Sequence, residues 1–162
     1  MKPLPTAPTD QSGLVRWRGH QIHVTESGEG DPLLLVTGLG GNTDMWAPLL
    51  EHFPSRRVIS FDAPGTGLSS MPMFPVPVPS LAELAAAVLD DRGVLQADVV
   101  GYSYGGAIAQ QMAHIDPSRI RRLVLAATTC GIGAFPGAIR ALSVLATPLR
   151  YYSRDYFERT AA

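Results

Sequence analysis

From residue 14 the chain reads Leu14-Val15-Arg16-Trp17-Arg18, then Gln21-Ile22-His23-Val24-Thr25-Glu26, with apolar and polar positions alternating on either side of Gly19-His20. A period of two sends alternate side chains to opposite faces, so this stretch predicts two short antiparallel strands around a tight turn. The next run differs. Leu33-Leu34-Leu35-Val36-Thr37 is almost unbroken apolar sequence and stops at Gly38-Leu39-Gly40-Gly41, the pattern of a parallel strand covered on both faces and closed by a glycine turn. Trp46 to Phe53 allows a short helix with Pro48 in its first turn, and Arg57-Val58-Ile59-Ser60-Phe61 predicts a further strand ending at Asp62. Prolines at 72, 75, 77 and 79 remove donors and helix geometry, so Met71 to Pro79 is expected to cross the surface. Ser80 as N-cap with Glu83 three residues on suggests a capping box, opening a helix with Leu81, Leu84, Ala85, Val88 and Leu89 on one face. Gln96 to Gly101 predicts a strand, Gly105 to Ile115 a helix, and Arg122 to Ala127 a further buried strand.

Strand and helix thus alternate after an antiparallel hairpin, which predicts an α/β fold with an open, mostly parallel sheet and helices on both faces. Functional groups in such sheets sit outside the carboxyl ends of the strands, so the candidate loops are Thr37–Thr43, Asp62–Ser70, Ser103–Gly106 and Thr128–Gly133. Residues 1–12, with Pro3, Pro5 and Pro8, read as a flexible arm, 13–132 as the core, and 133–162 as an incomplete, partly helical segment.

Composition narrows the function classes. A chain of 162 residues with 46% hydrophobic and 17% charged positions suits one globular domain. Thirteen basic against 14 acidic residues give a net charge of −1, without the positive field that nucleic acid or anionic membrane demands. No apolar run approaches the roughly 20 residues of a membrane-spanning helix, and the first residues lack a secretory signal, so a cytoplasmic protein without integral membrane association is expected. Cys130 is alone, which rules out an internal disulfide or a thiolate cluster and fits a small buried side chain in a reducing compartment. No His, Asp or Glu cluster has ligand spacing, so neither metal nor cofactor is expected.

The chemistry concentrates at Gly101-Tyr102-Ser103-Tyr104-Gly105, a G-x-S-x-G pattern followed by Gly106. It succeeds the predicted strand Ala97-Asp98-Val99-Val100 and opens the helix Ala107 to Met112, the strand–turn–helix setting that gives the motif meaning. A serine held in that sharp turn is strained, and the flanking glycines remove side chains that would collide. The helix then aims its unpaired amides and positive dipole end at an oxyanion formed beside Ser103. One donor is expected from the backbone N–H of Tyr104 and a second from that of Leu39 in the glycine turn. An ordinary helix cap is the bland alternative for Ser103.

The strand, the Gly38 turn, Asp62-Ala63-Pro64-Gly65-Thr66-Gly67-Leu68-Ser69 and Gly101 to Gly106, in this order, resemble the α/β-hydrolase superfamily over about residues 14–130. Gly105 to Gln111, Arg121 to Thr128 and Thr147-Pro148-Leu149-Arg150-Tyr151-Tyr152 are most similar to the intracellular poly(3-hydroxyalkanoate) depolymerases. The resemblance implies a serine esterase acting on a small ester or on a polyester of 3-hydroxy acids, with residues 133–162 as the start of a lid. Thr37 departs from the pattern, since many relatives have histidine before the glycine.

A larger departure concerns the triad, whose chain order in this fold is nucleophile, acid, histidine. Among the 59 residues after Ser103 stands one histidine, His114. It lies on the helix that Ser103 introduces, about 16 Å away at ~1.5 Å per residue, and cannot serve as base. His20, His23 and His52 belong to the hairpin and to the segment before Asp62, where packing or surface roles are expected. Asp116 closes the helix of His114, and Asp155 falls in the lid-like segment. Asp62 reads as a brace for the Gly65–Gly67 turn. The expectation is the N-terminal part of a larger hydrolase, with little turnover by itself, and with Leu123 to Ala127 as an exposed apolar sheet edge.

Rival readings are weaker. Gly38-Leu39-Gly40 followed by Asp62 about twenty residues on resembles a dinucleotide fingerprint, but Thr43 stands where its third glycine belongs. No Gly-Lys-Ser/Thr phosphate loop occurs. A noncatalytic binding protein on a hydrolase scaffold fits the missing histidine. Serine at the elbow argues against dehalogenase chemistry, while thioesterase, lipase, carboxylesterase, C–C hydrolase and haloperoxidase relatives stay open.

Overall fold

The computed structural model describes residues 12–129. The arm before Ser12, Cys130, Asp155 and the segment 133–162 lie outside the described residues.

The hairpin forms as its alternation requires. Strands β1 (Gly13–Trp17) and β2 (His20–Ser27) are joined by Arg18 and Gly19, both at positive φ (47° and 83°), the two-residue turn whose twist matches that of the flanking strands. Then follow β3 (Asp31–Val36), a 3-10 turn Thr43–Trp46, the short helix α1 (Ala47–Leu50), β4 (Arg56–Phe61), α2 (Val78–Asp91), β5 (Ala97–Tyr102), α3 (Tyr104–Ile115) and β6 (Ile120–Ala126). Among the described residues one sheet runs in the order β1-β2-β4-β3-β5-β6, antiparallel at β1/β2 and β2/β4 and parallel from β4 to β6.

The apolar run of β3 divides by parity between two cores. Leu34 and Val36 join Ile59, Phe61 and Val99 beneath Leu81, Leu84, Ala85, Val88 and Leu89 of α2 and Ile108, Ala109 and Met112 of α3. Leu33 and Leu35 face the other way, with Val58 and Trp46, against half-buried Leu49, Leu50 and Phe53. Helices therefore cover both faces, as expected.

Three sequence expectations are corrected. The Ser80–Glu83 capping box does not form: α2 begins at Val78 with Pro77 as its N-cap and no side-chain cap. Proline is compatible with a first helical turn, where its missing N–H has no partner to lose, so the helix starts three residues earlier. Ser80 and Glu83 instead receive Arg18 from the hairpin turn, at 3.2 and 2.5 Å. The helix expected from Trp46 to Phe53 shrinks to the 3-10 turn and one α turn, ending before Pro54. The strand at Arg122 to Ala127 is exposed rather than buried, with Val124 54% accessible, because the described sheet ends at β6. This agrees with the reading of Leu123 to Ala127 as an apolar edge.

A charge cluster ties the amino ends of the parallel strands. The buried Asp98 carboxylate (β5) accepts Nε and Nη2 of Arg121 (β6) at 2.8 and 2.9 Å and Nη2 of Arg56 (β4) at 2.8 Å. Arg121 also reaches Asp31 (β3) at 2.8 Å. The hydrogen bond from Arg121, aided by Arg56, outweighs burial and holds the Asp98 carboxyl down at about 2. A carboxyl depressed on folding adds stability above its unfolded value near 4 and loses it as pH falls toward 2. Asp98→Asn is therefore expected to cost about 2 kcal/mol at pH 7. In urea titrations at several pH values, the difference between wild type and variant should shrink from pH 4 to pH 2; a constant difference would refute the assignment.

Candidate active site

The Ser103 turn is built by backbone contact. Ser103 sits at φ 53°, ψ −118° between β5 and α3, a conformation that side-chain-bearing residues rarely adopt. Its N–H donates to the Ala126 carbonyl at 2.9 Å, and its own carbonyl accepts Gly106 N–H at 2.9 Å, so both sides of the turn are held. A Cβ at Gly105 would lie 2.2 Å from the Val36 carbonyl oxygen and 2.5 Å from that of Thr37. At Gly101 it would meet Gly105 O at 2.6 Å, and at Gly106 it would run into Thr128 at 2.5 Å. The three glycines let α3 descend onto the end of β3.

That descent brings the loop after β3 against the serine. A Cβ at Gly38 would be 3.2 Å from Ser103 Cβ. The loop closes on itself through Gly41 N–H to Gly38 O at 3.0 Å, with Gly40 at φ 71°. Among the described residues neither Leu39 N–H nor Tyr104 N–H, the latter at the first position of α3, has a backbone acceptor. Leu39 and Tyr104 line one cavity of about 210 Å³, together with Thr37, Phe61, Pro72, Pro75, Val76 and Ile108 among others. The lining holds no ionisable side chain except the Tyr104 phenol, whose pKa is raised by burial. Ser103 is not part of that lining and stands beside it, next to Gly38.

Asp62 does more than brace its local turn. Its carboxylate is 1% exposed and accepts Leu68 N–H at 2.9 Å, while Gly67 (φ 50°) packs so closely that a Cβ would overlap it. The same carboxylate accepts Thr43 N–H at 2.7 Å and lies 3.0 Å from His23 Nδ1. Ser69 Oγ donates to the Asp62 carbonyl and receives His23 N–H. One side chain therefore joins Thr43, just after the Gly38 loop, to the 63–69 loop, and residues 37–40 of the first loop and Ala63, Pro64 and Thr66 of the second line the cavity. The His23–Asp62 pair is not legible in the sequence, because the residues are 39 apart and meet only through the β2/β4 register, Val24 opposite Phe61.

The remaining histidines stay apart from the serine. His20 lies 3.5 Å from Ser70 Oγ in the hairpin, His52 pairs with Glu51 on the surface, and His114 is in the last turn of α3. Among the described residues no histidine hydrogen-bonds Ser103, and no three His, Cys, Asp or Glu side chains could hold a metal ion. No helix among them is long and apolar enough to cross a membrane. An activated serine here could add to a carbonyl whose developing oxyanion faces the amino end of α3.

Two stability measurements test the strain and the close approach. Gly105→Ala is expected to cost at least about 3 kcal/mol, since backbone rather than a flexible side chain obstructs the new methyl. Ser103→Gly should be more stable than Ser103→Ala by about 1 kcal/mol, because glycine accepts the positive φ without strain. Equal melting temperatures for the two Ser103 variants would contradict a strained elbow.

Comparison with known proteins agrees with this architecture. The model of the alpha/beta hydrolase fold matches residues 31–158. The chain is similar to a poly(3-hydroxyalkanoate) depolymerase of Ectopseudomonas oleovorans, 44% identical over 131 residues that make up 80% of this chain and 46% of that protein. It is similar to a 2-hydroxymuconate semialdehyde hydrolase of Pseudomonas sp. (strain CF600), 38% identical over 66% of this chain and 40% of that protein. Among solved structures, a hydrolase from Pseudomonas aeruginosa PA01 superposes with a TM-score of 0.76 at 29% identity, over 91% of this chain and 57% of the other. The chain spans about half the length of these relatives. With the family model matched over most of its length and the sheet order, elbow and glycine turn in place, the chain belongs to the α/β-hydrolase fold family.

Proposed function

We propose that this chain carries the nucleophile of a serine hydrolase of carboxylic esters, with polyesters or oligomers of 3-hydroxy acids as its substrate class. The observation that carries this reading is the strained Ser103 at the head of α3 with Gly38 packed against it. Ser103 Oγ attacks the ester carbonyl, and the oxyanion accepts hydrogen bonds from the backbone N–H groups of Leu39 and Tyr104. The uncharged cavity beside them receives the acyl portion. The substrate class rests on the likeness to the depolymerase.

Serine needs a base to take its proton, and His23 is already committed to Asp62. The acid and imidazole belong, in this reading, to the part of the relatives' length that this chain does not match. Without them only the residual catalysis of the oxyanion site and binding remains.

p-Nitrophenyl ester hydrolysis should be measured for this chain, for Ser103→Ala, and for a protein extended by the coding sequence that follows Ala162. The expected result is turnover by the extended protein alone, reduced by roughly three orders of magnitude or more in Ser103→Ala. An extended protein inert toward esters and thioesters would favour a binding role on a hydrolase scaffold. In the active form, each methylene added to an uncharged acyl chain should raise kcat/KM about three- to fourfold until the cavity is filled. Acyl chains ending in a carboxylate should gain nothing, as initial rates across the two ester series would show.

A further inference from the structure

We infer, on the ester-hydrolase reading above, that the phenol of Tyr104 hydrogen-bonds the oxygen on carbon 3 of the bound acyl group and so selects 3-oxygenated chains of one configuration. Tyr104 opens α3, and Ile108, one turn further on, lines the same cavity. Residues four apart share a helix face, so the tyrosine ring is carried on the face of α3 that borders the cavity. Like Val76 of the cavity wall, the ring packs against the core beneath α2 and α3. Its hydroxyl has no hydrogen-bond partner among the described residues. Burial pushes its pKa up, so at neutral pH the phenol keeps its proton and stands as a donor.

Around the phenol the wall is hydrocarbon, with Phe61, Pro72, Pro75, Val76, Leu81 and Ile108. Two other hydroxyl-bearing residues occur in the lining. Thr66 Oγ1 already donates to the Ala63 carbonyl at 2.8 Å. Thr37 follows Val36, and the alternation that turns Val36 to the core beneath α2 and α3 turns Thr37 the other way. There its Cβ lies 3.5 Å from a Cβ built on Gly41. Among the described residues the phenol is thus the uncommitted side-chain donor on this wall. In the proposed reaction the backbone N–H of Tyr104 donates to the oxyanion, while its phenol stands one side chain away. The carbonyl carbon and carbon 3 of the acyl group are likewise separated by a single methylene. In a polyester of 3-hydroxy acids every unit carries oxygen at that carbon, as a free hydroxyl at the chain end or as an acyloxy group within it. Both accept a hydrogen bond. An unsubstituted acyl chain offers no acceptor there and leaves the buried phenol unsatisfied. A donor fixed on one wall also meets only one configuration at carbon 3.

The protein extended beyond Ala162, with its Tyr104→Phe and Thr37→Val variants, is to be compared on p-nitrophenyl esters of hexanoate and of the two enantiomers of 3-hydroxyhexanoate. One enantiomer should be preferred over the other by roughly three- to tenfold in kcat/KM, the worth of one hydrogen bond. Tyr104→Phe should bring that ratio close to one, and Thr37→Val should keep it. A general loss of structure would lower all three rates together and leave the ratio standing. In a Ser103→Ala background, calorimetric titration with the methyl esters should show the same preference in Kd without turnover, and Tyr104→Phe should again remove it. A protein that turns nothing over but binds with this Tyr104-dependent preference would refute the hydrolase reading and uphold the role of the phenol. Turnover with a ratio that survives Tyr104→Phe, or that Thr37→Val removes, would overturn the role of the phenol and leave the hydrolase reading intact. Absence of both turnover and binding preference would overturn both.

Discussion

The contact between the first residues of α3 and the last carbonyls of β3 organises the functional end of this protein. Gly105 lies so close to the carbonyls of Val36 and Thr37 that no side chain fits between them. That approach follows from β3 and β5 being adjacent and parallel, with Val36 opposite Gly101. It obliges the chain to leave β5 and enter α3 within one residue, and Ser103 absorbs the reversal at positive φ. The same geometry delivers the Gly38 loop to the serine and the amino end of α3 to the cavity. A strained residue persists only where its surroundings over-determine it, and here two backbone hydrogen bonds and three glycines do so.

The two ends of the parallel strands are stabilised by different means. At the amino ends, Asp98 and Asp31 meet Arg56 and Arg121 in a network that holds the strands in register. At the carboxyl ends, Asp62 gathers loop backbone through N–H groups and is matched by His23. The division suits the proposed chemistry, because the charge-rich end lies away from the cavity, whose lining carries no charged side chain. Among the described residues Asp62 is the one buried carboxylate near that cavity, and its lone pairs are occupied by loop amides and an imidazole rather than directed at a substrate.

Within its own few residues the sequence determined the kinds and order of the elements, the hairpin turn, the two-sided burial of β3 and the elbow at Ser103. These depend on periodicity and on steric limits that reach no more than a few residues along the chain. The start of α2 departs from the local pattern, since Ser80 and Glu83 take Arg18, 62 and 65 positions before them, instead of capping the helix. Only the tertiary structure decided that Asp62 would meet both Thr43 and His23, and that Asp98 would gather Arg56 and Arg121 from two neighbouring strands. Each of these rests on strand order and register, in which a single step exchanges one face for the other, and no local pattern encodes which strand will lie beside which.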